Sequence, residues 1–179
     1  VIRHSLTKHI LAFSLRTSGS GGNVQGLLSW CEPSEIYFIF HIDLYNTCMI
    51  DFEYVDDTAA LREMLIYLRD VDRISVDLES DSYHHYAEKI ALLQISDGET
   101  IFILDPFNLD LERVAPLLRG KSIEKVFHDV DYDGRMLLTF LGVKPEPVFD
   151  TMIAARILGK EKVGLADLLY EYFDIELDK

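Results

Sequence analysis

Two carboxylates set two residues apart, Asp77 and Glu79, give the first chemical lead; they lie in the stretch Ile74–Glu79, which reads ISVDLE. Ile74, Val76 and Leu78 alternate with Ser75, Asp77 and Glu79, the period of a β-strand with one apolar and one polar face. On the polar face the two acids stand about 7 Å apart along the strand. Like charges this close are costly beside a protein interior unless a cation or a substrate group compensates them. The plainer alternative is a half-exposed strand with a solvated acidic edge, and a D-x-E pair alone does not decide between the two.

A third acid lies further on, in His128–Gly134, HDVDYDG. Asp129, Asp131, Asp133 and Gly134 match the first half of an EF-hand calcium loop. The twelfth position, however, is Phe140 where a bidentate Glu is needed, and a strand rather than a helix precedes the segment. A helix accounts for more: Asp133, Leu137 and Phe140 or Leu141 share one face, which puts Asp133 on the apolar stripe. An isolated buried carboxylate would protonate rather than stay charged. A cation bridging Asp133 to Asp77 and Glu79 removes that cost, whereas a place at the wet edge of the stripe, or a capping role, would leave no cost to remove.

The elements that must position these acids can be read in order from about Phe52. Asp57 or Thr58 caps a helix with Leu61, Met64, Leu65 and Leu68 at helical spacing. After the ISVDLE strand and a polar loop, Ile90–Ser96 reads as a second strand. Asp97-Gly98 is a turn signal, so Thr100–Leu104 completes a hairpin. Leu109–Arg119 is helical and interrupted by Pro116. A short strand at Lys125–His128, a helix from Asp131 to Leu141, and a fifth strand at Val148–Phe149 follow. Asp150 or Thr151 caps a helix ending at Gly159, and Gly164–Phe173 is a last amphipathic helix. The expected fold is α/β, a mixed five-stranded sheet flanked by helices.

Composition bounds the function. The formal charge is −14, and residues 1–50 carry three basic and three acidic side chains, so the remaining 14 basic and 28 acidic residues hold all of it. An acidic domain argues against clamping nucleic acid by a basic surface, but not against a nuclease whose cations face the phosphates. Cys31 and Cys48 have no zinc spacing and suggest no disulfide framework. The run Ile36–Ile50 is too short and too interrupted to span a membrane, which leads to an expected intracellular, membrane-free protein. Residues 1–51, with the Gly/Ser stretch Thr17–Asn23, read as an N-terminal extension without an assigned role, and 52–179 as the organised domain.

Several ordered motifs then resemble a known family. Asp77 and Glu79, followed by Tyr83 and LLQIS, then KVFH with an acid five residues after the His, then FDTMIAARILG, then GLADLLYEYF with LDK, are similar to ribonuclease D and to the catalytic domain of the nuclear exosome's exonuclease subunit. Both are DEDD 3′–5′ exonucleases with a ribonuclease H-like fold. The resemblance implies that Asp77, Glu79 and Asp133 are catalytic and hold two divalent cations, Mg²⁺ or Mn²⁺ by their all-oxygen ligands. It implies a single-stranded nucleic acid 3′ end as substrate, RNA by the family, and places His128 close to the terminal nucleotide. Tyr83 and Gln94 fit the pattern as core or supporting residues, and Asp150 reads as a helix cap. Protein partners are not legible.

The departure from the family is its third motif, a Tyr four residues before a fourth Asp, expected beyond Lys179. Tyr170 and Asp174 have that spacing, but Tyr170 points away from the Leu165–Leu168–Leu169–Tyr172 stripe, so the pair reads as coincidence. The expectation is a domain incomplete at its C-terminus and weak or inactive alone. The competing reading is a catalytically degenerate nuclease fold that binds without chemistry.

Overall fold

The structure is a computed structural model, and it describes residues 52–80 and 89–176. Residues 1–51, the polar loop with Tyr83, and the last three residues lie outside the described part. The elements are β1 (Glu53–Val55), α1 (Thr58–Tyr67) running into a short 3₁₀ turn (Leu68–Asp70), β2 (Arg73–Ser80), β3 (Ile90–Ser96) and β4 (Ile101–Leu104). A 3₁₀ turn (Leu111–Val114), α2 (Ala115–Arg119), β5 (Glu124–Phe127), α3 (Val130–Leu141), β6 (Val148–Asp150), α4 (Thr151–Ile157) and α5 (Leu165–Phe173) follow.

The sheet has six strands where the sequence suggested five, in the order β1-β4-β3-β2-β5-β6. The addition is β1, paired parallel to β4. With three residues, of which only Val55 is buried, it offers no alternation to read. Pairing is antiparallel for β2–β3 and β3–β4, and parallel for β2–β5 and β5–β6. Five strands therefore run in one direction and β3 in the other. Their carboxyl ends share one edge of the sheet, where open α/β sheets place their ligands.

Local chemistry explains most boundaries. Asp57 caps α1 by accepting from Ala59 N at 2.7 Å and Ala60 N at 2.8 Å. The β3–β4 turn closes because Asp97 Oδ1 accepts from Glu99 N and Thr100 N while Gly98 takes φ 96°, a conformation side chains disfavour. Pro116 opens α2 rather than breaking a longer helix, since its missing N–H costs nothing in a first turn.

The core follows the alternation. Ile74, Val76 and Leu78 of β2 join Leu93 and Ile95 of β3, Leu61 and Met64 of α1, Leu118 of α2 and Met136 and Leu137 of α3 in one buried cluster. Burying each such side chain stabilises by about 2 kcal/mol. Ile103 and Val126, also buried, sit by register on the opposite face, and Ala155, Leu168 and Leu169 are buried on α4 and α5. Both faces of the sheet thus bury apolar side chains, as expected of a largely parallel sheet between helices, and the second face also carries Asp77 and Gln94. Among the described residues no helix is long and apolar enough to cross a membrane.

Candidate active site

Register assembles the site. Asp77 pairs with Gln94 on β3, Gln94 with Ile103 on β4, and Ile103 with Tyr54 on β1, so these side chains form a row on one face. On the other side Ser75 pairs with Val126, and His128 follows two residues further on, just past the carboxyl end of β5. Gln94, 3% exposed, donates from Nε2 to Asp77 Oδ2 at 3.3 Å. Its supporting role was among the sequence expectations; its partner was not.

Next to Glu79 the β2–β3 register shifts, so that Glu79 faces Leu92 while Ser80 faces Ile90. Such a bulge re-aims side chains near the end of a strand. Tyr132 Oη then donates to Ser80 Oγ at 2.7 Å and ties the first turn of α3 to the end of β2.

Asp133 is buried on α3, on the stripe with Met136 and Leu137. The EF-hand alternative is thereby excluded, because Asp131 and Asp133 belong to a helical turn, and Asp131 pairs with Arg135 at 2.9 Å. Burial, then the charges of Asp129 and Glu79, push the Asp133 carboxyl up to about 7. Burial also dominates at Asp77, followed by the charges of Asp133 and Glu79, and the carboxyl is pushed up to about 8. The structure therefore brings Asp77, Glu79 and Asp133 into one electrostatic neighbourhood. It adds Asp129, whose charge on Asp133 a linear reading could not place. Asp129 is in the left-handed region, φ 67° and ψ 67°, an uncommon conformation for a side chain other than glycine.

The backbone around Asp129 is held from below by Asp150. Its Oδ2 accepts from Val130 N at 2.7 Å, and its Oδ1 accepts from Asp129 N at 3.4 Å and from Ile153 N at 2.9 Å. One carboxylate thus caps α3 and α4 together, more than the single cap the sequence suggested. Asp150→Ala is expected to cost about 2 kcal/mol in urea denaturation, since the caps of two helices are lost at once. A loss below about 0.5 kcal/mol would show that the freed N–H groups find other partners.

His128 lies half-buried between these groups, with Nδ1 2.7 Å from Thr151 Oγ1. Burial lowers its pKa, against the charges of Asp150 and Asp129. Tyr170, by contrast, is exposed on α5 and Asp174 forms that helix's left-handed C-cap, so their spacing marks a helix end.

The donors around Asp77 suit a hard cation: carboxylate oxygens whose mutual repulsion and burial a positive charge would relieve. Among the described residues no three acids, histidines or cysteines are gathered tightly enough to hold an ion as they stand.

Comparison with known proteins gives the family. A family model described as 3′–5′ exonuclease matches residues 52–179. Ribonuclease D of Zymomonas mobilis is 36% identical over 129 residues, covering 70% of this chain and 33% of that protein. The exosome complex exonuclease RRP6 of Saccharomyces cerevisiae is 32% identical over 128 residues, 70% of this chain and 18% of its own length. Among solved structures, Escherichia coli RNase D, described as an exoribonuclease involved in structured RNA processing, superposes with a TM-score of 0.67 at 28% identity. That match covers 72% of this chain and 35% of the other. The chain spans about a third of the length of the ribonuclease D proteins it matches.

Proposed function

The chain belongs to the 3′–5′ exonuclease family, and on that footing we propose that it removes nucleotides from the 3′ end of single-stranded RNA by metal-dependent hydrolysis. The observation that carries this reading is the buried corner where burial raises the proton affinity of Asp77 and Asp133, with the charges of Asp133 and Glu79 adding to it at Asp77 and those of Asp129 and Glu79 at Asp133. Residues 52–179 form the exonuclease domain in this proposal, and Asp77, Glu79 and Asp133 are its catalytic residues. RNA is favoured over DNA because the ribonuclease D relatives act on RNA by name. An intracellular setting goes with it, since Cys31 and Cys48 ask for no oxidising compartment.

Asp77, Glu79 and Asp133 would hold two divalent cations, Mg²⁺ or Mn²⁺. When bound, such a pair turns water into a nucleophile at neutral pH and stabilises the leaving 3′ oxygen. The protein's share of the work is positional. Gln94 fixes the Asp77 carboxylate from β3, α3 presents Asp133 from its first turn, and the bulge after Glu79 aims that side chain. Asp150 keeps the α3 start in place by holding Val130 N and Asp129 N. His128 lies at the edge of this corner, in reach of the terminal nucleotide.

The test is shortening of 5′-labelled single-stranded RNA by the 179-residue chain in a Mn²⁺ and Mg²⁺ series. Weak stepwise loss from the 3′ end is expected, rising with cation concentration. Chelation should stop it, and Asp133→Asn should lower it by roughly a hundredfold or more. Trimming that ignores both the chelator and the substitution would overturn the assignment. Absence of trimming together with absence of any cation response would leave a binding module on the same fold.

A further inference from the structure

The hydroxyl of Thr151 has a single proton, and its two contacts point to where it goes. Thr151 is 1% exposed, and its Oγ1 lies 3.1 Å from the carbonyl oxygen of Phe127, an acceptor only. That contact consumes the hydroxyl proton. The same oxygen is 2.7 Å from His128 Nδ1 and must therefore accept there, which makes Nδ1 the protonated ring nitrogen. In a neutral imidazole Nε2 is then bare.

The placement of that bare nitrogen limits what it can meet. His128 follows the carboxyl end of β5 and shares the neighbour Asp129 with Asp133, so Nε2 adds one more acceptor to a corner already made of carboxylates. A phosphate has no proton to give it at neutral pH. On a nucleotide end the constant donors are the sugar hydroxyls, whereas donors on the base change with its identity. A residue serving every nucleotide in turn needs the constant one.

We propose that Thr151 is a positioning residue that fixes His128 in its Nδ1-protonated tautomer, so that Nε2 accepts a hydrogen bond from a hydroxyl of the 3′-terminal sugar. The ligand part rests on the exonuclease reading above; the tautomer part rests on the Phe127–Thr151–His128 chain of contacts alone. Thr151 also explains why a threonine follows the capping Asp150: valine would fill the same space and leave both neighbours unsatisfied.

The tautomer is read by ¹⁵N NMR of the histidine rings in the full chain at pH 7.5. Wild type should show His128 protonated on Nδ1, Thr151→Val should shift the population toward Nε2–H, and Thr151→Ser should restore it. An Nε2-protonated wild type overturns the proposal. The ligand is read by titrating AMP, its 2′-deoxy form and its 3′-deoxy form in Mn²⁺. Loss of the hydroxyl that meets Nε2 should weaken binding on the order of fivefold, a single hydrogen bond's worth. His128→Phe should erase the difference, and whichever deoxy form is affected identifies the 2′ or the 3′ hydroxyl. A wild type that binds all three nucleotides equally overturns the role of His128 and leaves the nuclease reading standing. Failure to bind any of them overturns the nuclease reading, and the sugar contact with it.

Discussion

Asp77→Asn is expected to stabilise the cation-free protein at pH 8 while removing its response to Mg²⁺ and Mn²⁺. Burial and the charges of Asp133 and Glu79 push the Asp77 carboxyl up to about 8, from an ordinary value near 4. A raised carboxyl is one whose charged form the fold disfavours. Below about pH 4 the group is neutral folded or unfolded, and no penalty exists. As pH rises from about 4 to 8 the unfolded chain ionises first, and the native state loses stability through that window. Asn has nearly the same shape, carries no charge, and still offers an oxygen to Gln94 Nε2. The gain at pH 8 should be about 2 kcal/mol, or about 6 °C in melting temperature for a domain of this size.

A cation reverses the sign for wild type, because it binds the native state and not the unfolded chain. Thermal melts at pH 5 and pH 8, with and without Mn²⁺, separate the effects. Without metal the gap between wild type and variant should be smaller at pH 5 than at pH 8, where the variant should melt higher, and only wild type should rise with Mn²⁺. In the trimming assay the same substitution should cost roughly a thousandfold, as it removes an oxygen from the reacting centre. A variant that melts lower than wild type at pH 8, or that keeps the Mn²⁺ shift, would rule out the assignment of Asp77.

The largest stability loss is expected away from this corner, at Lys125. Its side chain is 0% exposed at the start of β5, and its Nζ donates to the carbonyl oxygens of Gly120, Ile123 (2.8 Å) and Glu146 (2.8 Å). Three protons meet three acceptors, so the ammonium is fully hydrogen-bonded though buried. Burial lowers its pKa, with the Glu146 charge opposing. These contacts fasten the turn before β5 and the segment before β6 to the same strand, where Lys125 N also donates to Pro147 O at 2.9 Å.

Lys125→Met keeps the length of the side chain and strands three carbonyls. A loss of about 3 kcal/mol is expected, within the range for breaking a buried polar network. Lys125→Arg should not rescue it, because a planar guanidinium cannot point three donors at one compact ring of oxygens. Urea denaturation reads both variants. A cost under about 1 kcal/mol for Lys125→Met would mean that the carbonyls rotate to other donors.

Neither prediction could have been made with its sign from the sequence. Lys125 reads there as the polar start of a short strand, because nothing nearby announces that Gly120 and Glu146 converge on it. Asp77 reads as an acid on a polar face, and only the Gln94 contact and the neighbouring Asp133 make that face a closed corner. The bulge after Glu79, the strand β1 and the left-handed Asp129 were equally silent.

What the amino-acid order did determine is local. The alternation of β2 and β3, the stripe of α1, the caps Asp57 and Asp150, the Asp97-Gly98 turn and the membership of Asp133 in the apolar face of α3 all follow from contacts within about four residues. Those contacts carry their own physics, so composition and spacing express them. The tertiary structure alone decided which strands neighbour which, that Asp129 stands beside both His128 and Asp133, that Thr151 meets the His128 ring, and that Asp150 caps two helices. Most of these depend on pairing segments far apart in the chain, and the same local pattern is compatible with many such pairings until the core's packing selects one.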